Sequence, residues 1–365
     1  MIPLNKPFLP PQHEYQDYIN EIWRRNWLTN HGPLVKEFEE KVSDYLGTER
    51  MVFVSNGTTA LQIAIKALGL KGEIITTPYS YVATTSTIVW EHCTPVFVDI
   101  DDITLNIDPD KIESAITGKT SAIIATHVYG NPCDVESIHK IAEKYDLKVI
   151  YDAAHCFGTR YKGEPIYNWG DISIASFHAT KPFHTVEGGG LFTHDKELRK
   201  KIRYMMNFGH DGPYHFQGVG INGKNSELHA AMGLCNLKYA DEILAKRKKL
   251  SEIYDNKLNE LPVQKPEVTE NTEYNYAYYP VLFESEKAMK SAAEYLSSEG
   301  IESRSYFKPS LNQLPYVEKA HVPVSESVSN RVLCLPLYFD MTIEKVNLVI
   351  DSIQKNLQST PIQRK

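Results

Sequence analysis

Short, continuous apolar runs alternate with helix-like segments between residues 51 and 153 of this 365-residue chain. The runs are MVFV (51–54), EIITT (73–77), PVFVDI (95–100), SAIIATHVY (121–129) and KVIYDA (148–153). Apolar strands of this kind, separated by helices, are typical of a mostly parallel sheet that is covered on both faces. The pattern therefore predicts an α/β fold built on one large sheet.

The last third of the chain has a different character. A long polar helix is predicted over residues 236–254 and is interpreted as a connector between two domains. The segments after it, NYAYYPVLF (275–283), KAMKSAAEYLSSEG (287–300) and EKVNLVIDSIQKNL (344–357), favour a smaller α+β unit. We therefore predict a large domain over residues 1–245 and a small C-terminal α+β domain over residues 246–365.

Composition narrows the class of protein. The net charge of −7 argues against a broad nucleic-acid-binding surface. The five cysteines are scattered and never form a CxxC pair, which favours reduced thiols over a disulfide framework or a zinc site. The N-terminus lacks a signal-peptide pattern, and no apolar run is long enough to span a membrane. We expect a cytoplasmic protein that binds neither nucleic acid nor membrane.

Lys181 lies in a polar break, SFHATKPFHTVEGGG (176–190), between two apolar runs. ISIASF (172–177) begins before the break and LFT (191–193) follows it, so both flanks have the character of buried strands. A lysine in this place is poorly explained as a solubilising surface charge. Burial in a cleft would lower its pKa and make its amine a nucleophile toward a carbonyl group.

A phosphate site is predicted at SNGTTAL (55–61), where a strand is expected to turn into a helix. Gly57, Thr58 and Thr59 would present backbone N–H groups and hydroxyls at the positive end of that helix. Ser176 precedes Lys181 by five residues and could bind the same phosphate. The alternative is a simple helix cap, since such caps are common.

Further candidates follow two other predicted strands. Asp152, in YDAAH (151–155), comes at a strand end, where ligands of open α/β sheets bind, and could keep a pyridine nitrogen protonated. Tyr81, in the segment 76–85, could stack on a flat ring. The alternatives are a turn-capping aspartate, a buried structural His155 and a tyrosine that belongs to the core.

Together these groups supply what a pyridoxal 5′-phosphate pocket needs. The chain moreover resembles the DegT/DnrJ/EryC1/StrS family of sugar aminotransferases, which have the aspartate aminotransferase fold of type I. The segments that carry the resemblance are WLTNHGP (27–33), GTTAL (57–61), YDAAH (151–155), SFHATK (176–181), EGG (187–189), INGKNSELHAA (221–231) and LPLY (335–338). They stand in the family's order and cover most of the chain.

The resemblance implies roles for individual residues. Lys181 would bind the cofactor's aldehyde covalently and act as the catalytic base, and Asp152 would pair with the pyridine nitrogen. Asn222 would reach the phosphate from the neighbouring subunit, which implies a homodimer. The other implied cofactor contacts are Gly57, Thr58, Thr59 and Ser176 around the phosphate, Tyr81 on the ring, and His155, counted among the catalytic residues, beside the ring hydroxyl. Lys224 departs from the family's usual arginine.

The implied reaction is a transamination in two halves. L-Glutamate would donate the amino group, and a nucleotide-linked keto-sugar would accept it. The sequences SFHATK and EGG are similar to those of the family branch that aminates C-4 of 4-keto-6-deoxy sugars. The preferred substrate is dTDP-4-keto-6-deoxyglucose, whose product would serve O-antigen or other surface polysaccharide synthesis. The alternative within the family is amination at C-3 or of a UDP-linked sugar.

Three other functions remain as alternatives. A dehydratase of the same fold acts at C-3, but it lacks the lysine that stands here at position 181. A non-catalytic regulator would bind the cofactor or the sugar without turnover. A metal hydrolase would rest on His155, His178 and His210, which show no ligand-pair spacing such as HExxH.

Overall fold

The computed structural model describes residues 1–359. The helices are α1 (Gln12–Arg25), α2 (Pro33–Leu46), α3 (Gly57–Ala67), α4 (Val82–Trp90), α5 (Val135–Tyr145), α6 (Lys196–Met205), α7 (Glu227–Leu237), α8 (Ala240–Leu258), α9 (Glu286–Ser298), α10 (Pro323–Arg331) and α11 (Ile343–Ser359). The strands are β1 (Val52–Val54), β2 (Glu73–Thr76), β3 (Thr94–Phe97), β4 (Thr120–Thr126), β5 (Lys148–Asp152), β6 (Arg160–Tyr161), β7 (Glu164–Pro165), β8 (Ile172–Ser176), β9 (Gly189–Phe192), β10 (Val263–Gln264), β11 (Thr272–Glu273), β12 (Pro280–Phe283) and β13 (Val332–Cys334).

A seven-stranded sheet forms the centre of the large domain, in the order β1-β9-β8-β5-β4-β2-β3. Strand β9 runs antiparallel to both of its neighbours, and the other neighbouring strands pair in parallel. The carboxyl ends of the parallel strands therefore meet at one edge of the sheet. This topology confirms the predicted α/β class and the mostly parallel, mixed sheet.

The continuous apolar character of the strands follows from burial on both faces. Ile123 and Val149 belong to one core cluster, whereas Ile124 and Ile150, the next residues along β4 and β5, belong to another. Neighbouring side chains of a strand point to opposite faces, so each of these strands is covered on both sides. Helices α2 and α5 lie against the first cluster, and α3 lies against the second.

One helix-like segment of the sequence folds differently. Residues 108–116 form two short 3-10 turns, Pro109–Lys111 and Glu113–Ala115, instead of a continuous helix. Their backbone hydrogen bonds run from the N–H of Ile112 to Pro109 and from the N–H of Ala115 to Ile112. This three-residue spacing is that of a 3-10 turn, which seldom extends beyond a few residues.

The small C-terminal unit contains an antiparallel sheet in the order β10-β12-β13. Helix α8 contains the proposed boundary near residue 245, with Ala240 in the core of the large domain and Leu250 and Tyr254 in that of the small one. Ile2 also lies in the smaller core. The division at residue 245 stays a prediction, and residues 360–365 of the proposed small unit lie outside the described residues.

Two further features concern the cysteines and the length of the helices. All five cysteines are buried as free thiols. Within residues 1–359, no helix combines the length and the apolar character that crossing a membrane requires.

Candidate active site

A cavity of about 720 Å³ opens at the carboxyl edge of the central sheet. The candidate residues that line it are Gly57, Thr58, Thr59, Tyr81, Asp152, His155, Ser176 and Lys181. Asn222 does not line the cavity; it is exposed, and its backbone forms a bridge with Asn207. One subunit therefore brings together all the candidates except the one expected to act in its partner.

Lys181 follows β8 and extends its amine into this cavity. Its Nζ donates a hydrogen bond to the hydroxyl of Tyr278 at 3.1 Å and lies 5.7 Å from the centre of that ring. Burial lowers the pKa of Lys181 from 10.5 to about 8, although the nearby Asp152 carboxylate acts in the opposite direction. The amine is therefore available as a base or nucleophile close to neutral pH.

We expect Lys181 of the cofactor-free protein to react with an acylating reagent with a midpoint near pH 8. The measurement is mass spectrometry of the Lys181 peptide, with the exposed Lys200 as internal control. Because the unfolded chain binds more protons between pH 8 and 10.5, this lysine should also make stability rise with pH across that window. A midpoint close to that of Lys200 would contradict the argument from burial.

Asp152 ends β5 and is buried beneath the cavity. Its Oδ2 accepts a hydrogen bond from the hydroxyl of Thr84 at 2.7 Å, and its Oδ1 accepts one from the N–H of Ala154 at 3.2 Å. Burial raises the pKa of Asp152, and these two hydrogen bonds together with the charge of Lys181 only partly oppose it. A cationic ring nitrogen placed against this carboxylate would stabilise its charged form.

His155 is held by its backbone neighbours and by aromatic rings. Its Nδ1 accepts a hydrogen bond from the N–H of Tyr129 at 3.2 Å. Its ring lies nearly parallel to Phe307, with centroids 5.7 Å apart, and meets Tyr278 edge-to-face at 5.0 Å. Burial lowers the pKa of His155 well below its ordinary value, so the ring is neutral and carries its proton on Nε2.

The start of α3 forms part of the cavity wall. Asn56 is the cap of this helix, and its Oδ1 accepts the N–H of Thr59 at 2.8 Å. A Cβ on Gly57 would lie 3.0 Å from the Cβ of Ser176, and a Cβ on Gly189 would lie 2.4 Å from the oxygen of Asn56. Glycine at these two positions lets α3, β8 and β9 approach closely, so the N-terminus of α3 borders the cavity next to Ser176.

Tyr81 precedes α4 and leaves 55% of its surface exposed at the cavity. Its neighbour Tyr79 is fully buried. The alternative that Tyr81 belongs to the hydrophobic core is therefore wrong, although it would be right for Tyr79. The ring of Tyr81 is accessible to a planar ligand.

Sequence reasoning missed part of the cavity wall. Tyr278 lies within NYAYYPVLF (275–283), which was assigned only to the small α+β unit, and it precedes β12, which begins at Pro280. Residues 304–309 supply Arg304, Tyr306 and Phe307 to the wall. Residues 207–216 do not line the cavity of their own chain.

The residues of the cavity fit pyridoxal phosphate. The helix N-terminus with its hydroxyls suits a dianion, the incompletely compensated Asp152 suits a protonated ring nitrogen, and the Lys181 amine suits an aldehyde. Within residues 1–359, no cluster of three or more His, Cys, Asp or Glu side chains is arranged to hold a metal ion.

Comparison with known proteins decides the family. Residues 11–354 match the sequence profile of the DegT/DnrJ/EryC1/StrS aminotransferase family. The chain belongs to this family. The aminotransferase is 42% identical to dTDP-4-amino-4,6-dideoxy-D-glucose transaminase of Escherichia coli, over 94% of its own length and 96% of that protein. It is 36% identical to UDP-2-acetamido-2-deoxy-3-oxo-D-glucuronate aminotransferase of Pseudomonas aeruginosa, over 84% of its length and 86% of that protein.

Solved structures agree with this assignment. The aminotransferase superimposes on DesI, crystallised in the presence of its TDP-sugar product, with a TM-score of 0.93 and 33% identity, over 98% and 93% of the two chains. It superimposes equally well on the PMP form of a putative sugar aminotransferase of Streptococcus pneumoniae, with a TM-score of 0.92 and 25% identity, over 98% and 99%. The predictions of the family, the fold type and the enzyme class are therefore confirmed, against the non-catalytic alternative.

Proposed function

We propose that this aminotransferase uses pyridoxal phosphate to transfer an amino group from L-glutamate to C-4 of dTDP-4-keto-6-deoxyglucose. The product would be a 4-amino-4,6-dideoxy sugar for O-antigen or another surface polysaccharide. The observation that carries the proposal is the cavity that unites Lys181, the buried Asp152 carboxylate and the N-terminus of α3. Two relatives, at 42% and 40% identity, are named as transaminases of the dTDP-4-amino sugar, which favours C-4 over C-3.

The residues of the cavity divide the chemistry between them. Pyridoxal phosphate supplies an aldehyde that takes up the amino group and a ring that withdraws electrons from the reacting carbon. Lys181 is the base that removes and returns the proton there, and Tyr278 orients its amine. Asp152 would keep the ring nitrogen protonated, and His155 would donate its Nε2 proton to the ring hydroxyl. Thr58, Thr59 and Ser176 would hold the phosphate.

A panel of keto-sugars tests the proposed substrate. The purified enzyme would be given glutamate with dTDP-4-keto-6-deoxyglucose, the 3-keto isomer, or the UDP-linked 4-keto sugar. We expect the first to give the highest kcat/KM and a product that carries nitrogen at C-4 by NMR. Preferential amination of the 3-keto isomer would instead establish a C-3 aminotransferase. Preferential amination of the UDP-linked sugar would establish a UDP-sugar aminotransferase.

Replacement of Tyr278 by phenylalanine should lower kcat about tenfold, because Lys181 loses the hydrogen bond that orients it. The phenylalanine ring of the variant can still pack against His155 as the tyrosine ring does. The pH profile of kcat should shift toward lower pH, since the hydroxyl that accepts from the charged amine is lost. The control is Tyr276→Phe, which removes a neighbouring hydroxyl outside this cavity; equal effects of both variants would show that Tyr278 does not position Lys181.

We infer that the enzyme is a homodimer in which the partner subunit completes each active site. The segment around Asn222 displays unusual apolar exposure: Phe208 is 49%, Tyr214 89% and Phe216 62% exposed. Large exposed apolar surfaces mark interaction sites.

Lys224 turns back to this segment, with its Nζ 2.7 Å from Oδ1 of Asn207 and 4.9 Å from the ring of Phe208. We propose that Lys224 stabilises the conformation of the segment that contains Asn207 and Phe208. It would not take over the role of the arginine that the family usually has at this position.

Complementation between two inactive variants tests the shared site. In Asn222→Asp the new carboxylate should repel the phosphate, and in Lys181→Ala the amine is missing. Random mixing of the two should restore about a quarter of the wild-type activity, because half of the dimers are mixed and each of these retains one intact site. Mixing Lys181→Ala with Lys181→Ala;Asn222→Asp is the matched control and should restore nothing. No recovery in the first mixture would contradict a site shared across the dimer.

A further inference from the structure

One buried arginine pairs with no carboxylate in the described part of the chain. Arg247 is on α8, between Ala240 in the core of the large sheet and Leu250 in that of the small one, and 5% of its surface is exposed. The groups whose charge acts on it are the hydroxyls of Tyr278 and Tyr274. A buried cation without a counter-ion is costly, so its hydrogen bonds should explain why it is there.

The guanidinium of Arg247 binds the backbone just before Tyr278. Its Nε donates a hydrogen bond to the carbonyl oxygen of Tyr276 at 2.9 Å, and its Nη2 donates one to that of Ala277 at 2.6 Å. Tyr276 has a φ of 53°, in the left-handed region that a tyrosine seldom adopts. Such a backbone persists only where surrounding contacts hold it, and Arg247 binds that residue and the next.

A second set of hydrogen bonds fixes residues 275–278, called the strap, to the loop after β5. Nδ2 of Asn275 donates to the carbonyl oxygens of His155 at 2.7 Å and Phe157 at 3.0 Å. Its Oδ1 accepts the N–H of Ala277 at 3.1 Å. The strap is therefore bound both to α8 and to the backbone of a residue that lines the active-site cavity.

The strap ends at the residue that orients Lys181. The hydroxyl of Tyr278 accepts the hydrogen bond of Lys181 Nζ at 3.1 Å, and its ring meets that of His155 at 5.0 Å. A hydrogen bond of this length is lost when its two atoms move apart by roughly 0.5 Å. A small displacement of the backbone at Ala277 would therefore separate Tyr278 from the amine.

We propose that Arg247 is a positioning residue for the transamination, which acts on Lys181 through the strap and Tyr278. The guanidinium holds two successive carbonyl groups so that the Tyr278 hydroxyl stays within reach of the amine. The planar group of an arginine suits this task because its N–H groups can bind two neighbouring oxygens at once. The effect on turnover rests on the proposed function, whereas the geometry around Lys181 does not depend on it.

Acylation of Lys181 in the cofactor-free protein tests the proposal without cofactor or sugar. Arg247→Met should lower the pKa of the amine, and with it the pH midpoint of acylation, below about 8, because the charged amine loses its hydrogen-bond acceptor. Removal of a positive charge would by itself shift the midpoint upward, so the sign separates positioning from a plain charge effect. The variant keeps the other ionisable groups around the amine: Asp152, His155, Tyr306, Cys156 and Tyr81.

A double variant shows whether Arg247 acts through Tyr278. Arg247→Met;Tyr278→Phe should have the same acylation midpoint as Tyr278→Phe. The kcat should fall about fivefold in Arg247→Met, and the double variant should turn over no more slowly than Tyr278→Phe. Lys248→Met removes an equal charge from an exposed neighbour on α8 and should leave both quantities unchanged.

Arg247→Lys keeps the charge but cannot bind both carbonyl oxygens as a planar group does, so its midpoint and kcat should lie between those of Arg247→Met and the wild type. An unchanged or raised midpoint in Arg247→Met, an equal effect of Lys248→Met, or additive effects in the double variant would each overturn the proposal. If circular dichroism shows that the methionine variant is unfolded, the lysine variant decides: a lowered midpoint supports the proposal and an unchanged one overturns it. A lowered midpoint in an enzyme that rejects the 4-keto sugar would support the role of Arg247 and refute only the proposed substrate.

Discussion

Replacement of Lys181 by alanine should lower the rate of transamination by at least about 10⁴-fold. The variant loses both the amine that binds the cofactor and the base that moves the proton, and no other lysine among residues 1–359 lines the cavity. The measurement is single-turnover formation of the amino sugar, together with the absorbance of the bound cofactor after dialysis. Covalent retention of pyridoxal phosphate should be lost.

The control for this variant is Lys200→Ala, which removes an exposed lysine from α6. We expect wild-type turnover from it. Circular dichroism and thermal unfolding should show that the Lys181 variant is folded, since a partly buried amine with a lowered pKa does not stabilise the cofactor-free protein. Full turnover by Lys181→Ala would refute the catalytic assignment.

Asp152→Asn should lower kcat by about 10²–10⁴-fold while leaving the protein folded. The amide oxygen can still accept the Thr84 hydroxyl or the Ala154 N–H, so the local hydrogen bonds largely persist. What disappears is the negative charge that holds a ring nitrogen protonated. Pre-steady-state kinetics with α-deuterated glutamate should show that carbon deprotonation has become slower and more strongly isotope-dependent.

The variant Thr84→Val changes the surroundings of the Asp152 carboxylate without removing its charge. This variant removes one hydrogen bond to the carboxylate, and burial should then raise the pKa of Asp152 further. Its effect on kcat should be about tenfold or less, because the bound cofactor would still favour the ionised form. An Asp152→Asn variant with undiminished turnover would mean that the carboxylate does not act on the ring.

Much of the fold could be predicted because local chemistry and tertiary packing agree. Strands β4 and β5 are buried on both faces, and this burial appears in the sequence as unbroken apolar runs. Lys181 and Asp152 could be found because each stands out against an apolar strand that it follows or ends. The two 3-10 turns at residues 109–115 could not be predicted, since a three-residue spacing differs little from a helical one.

The sequence by itself determined the chemistry available to this protein: an amine, a carboxylate and a helix N-terminus, each at or shortly after the end of a strand in an α/β pattern. Only the tertiary structure decided which groups meet. Tyr278 is 97 residues from Lys181, yet its hydroxyl lies 3.1 Å from Nζ. Tyr81 is accessible whereas Tyr79 is buried, although the two are alternate residues of one segment. Such contacts depend on how distant segments pack, which local periodicity does not record.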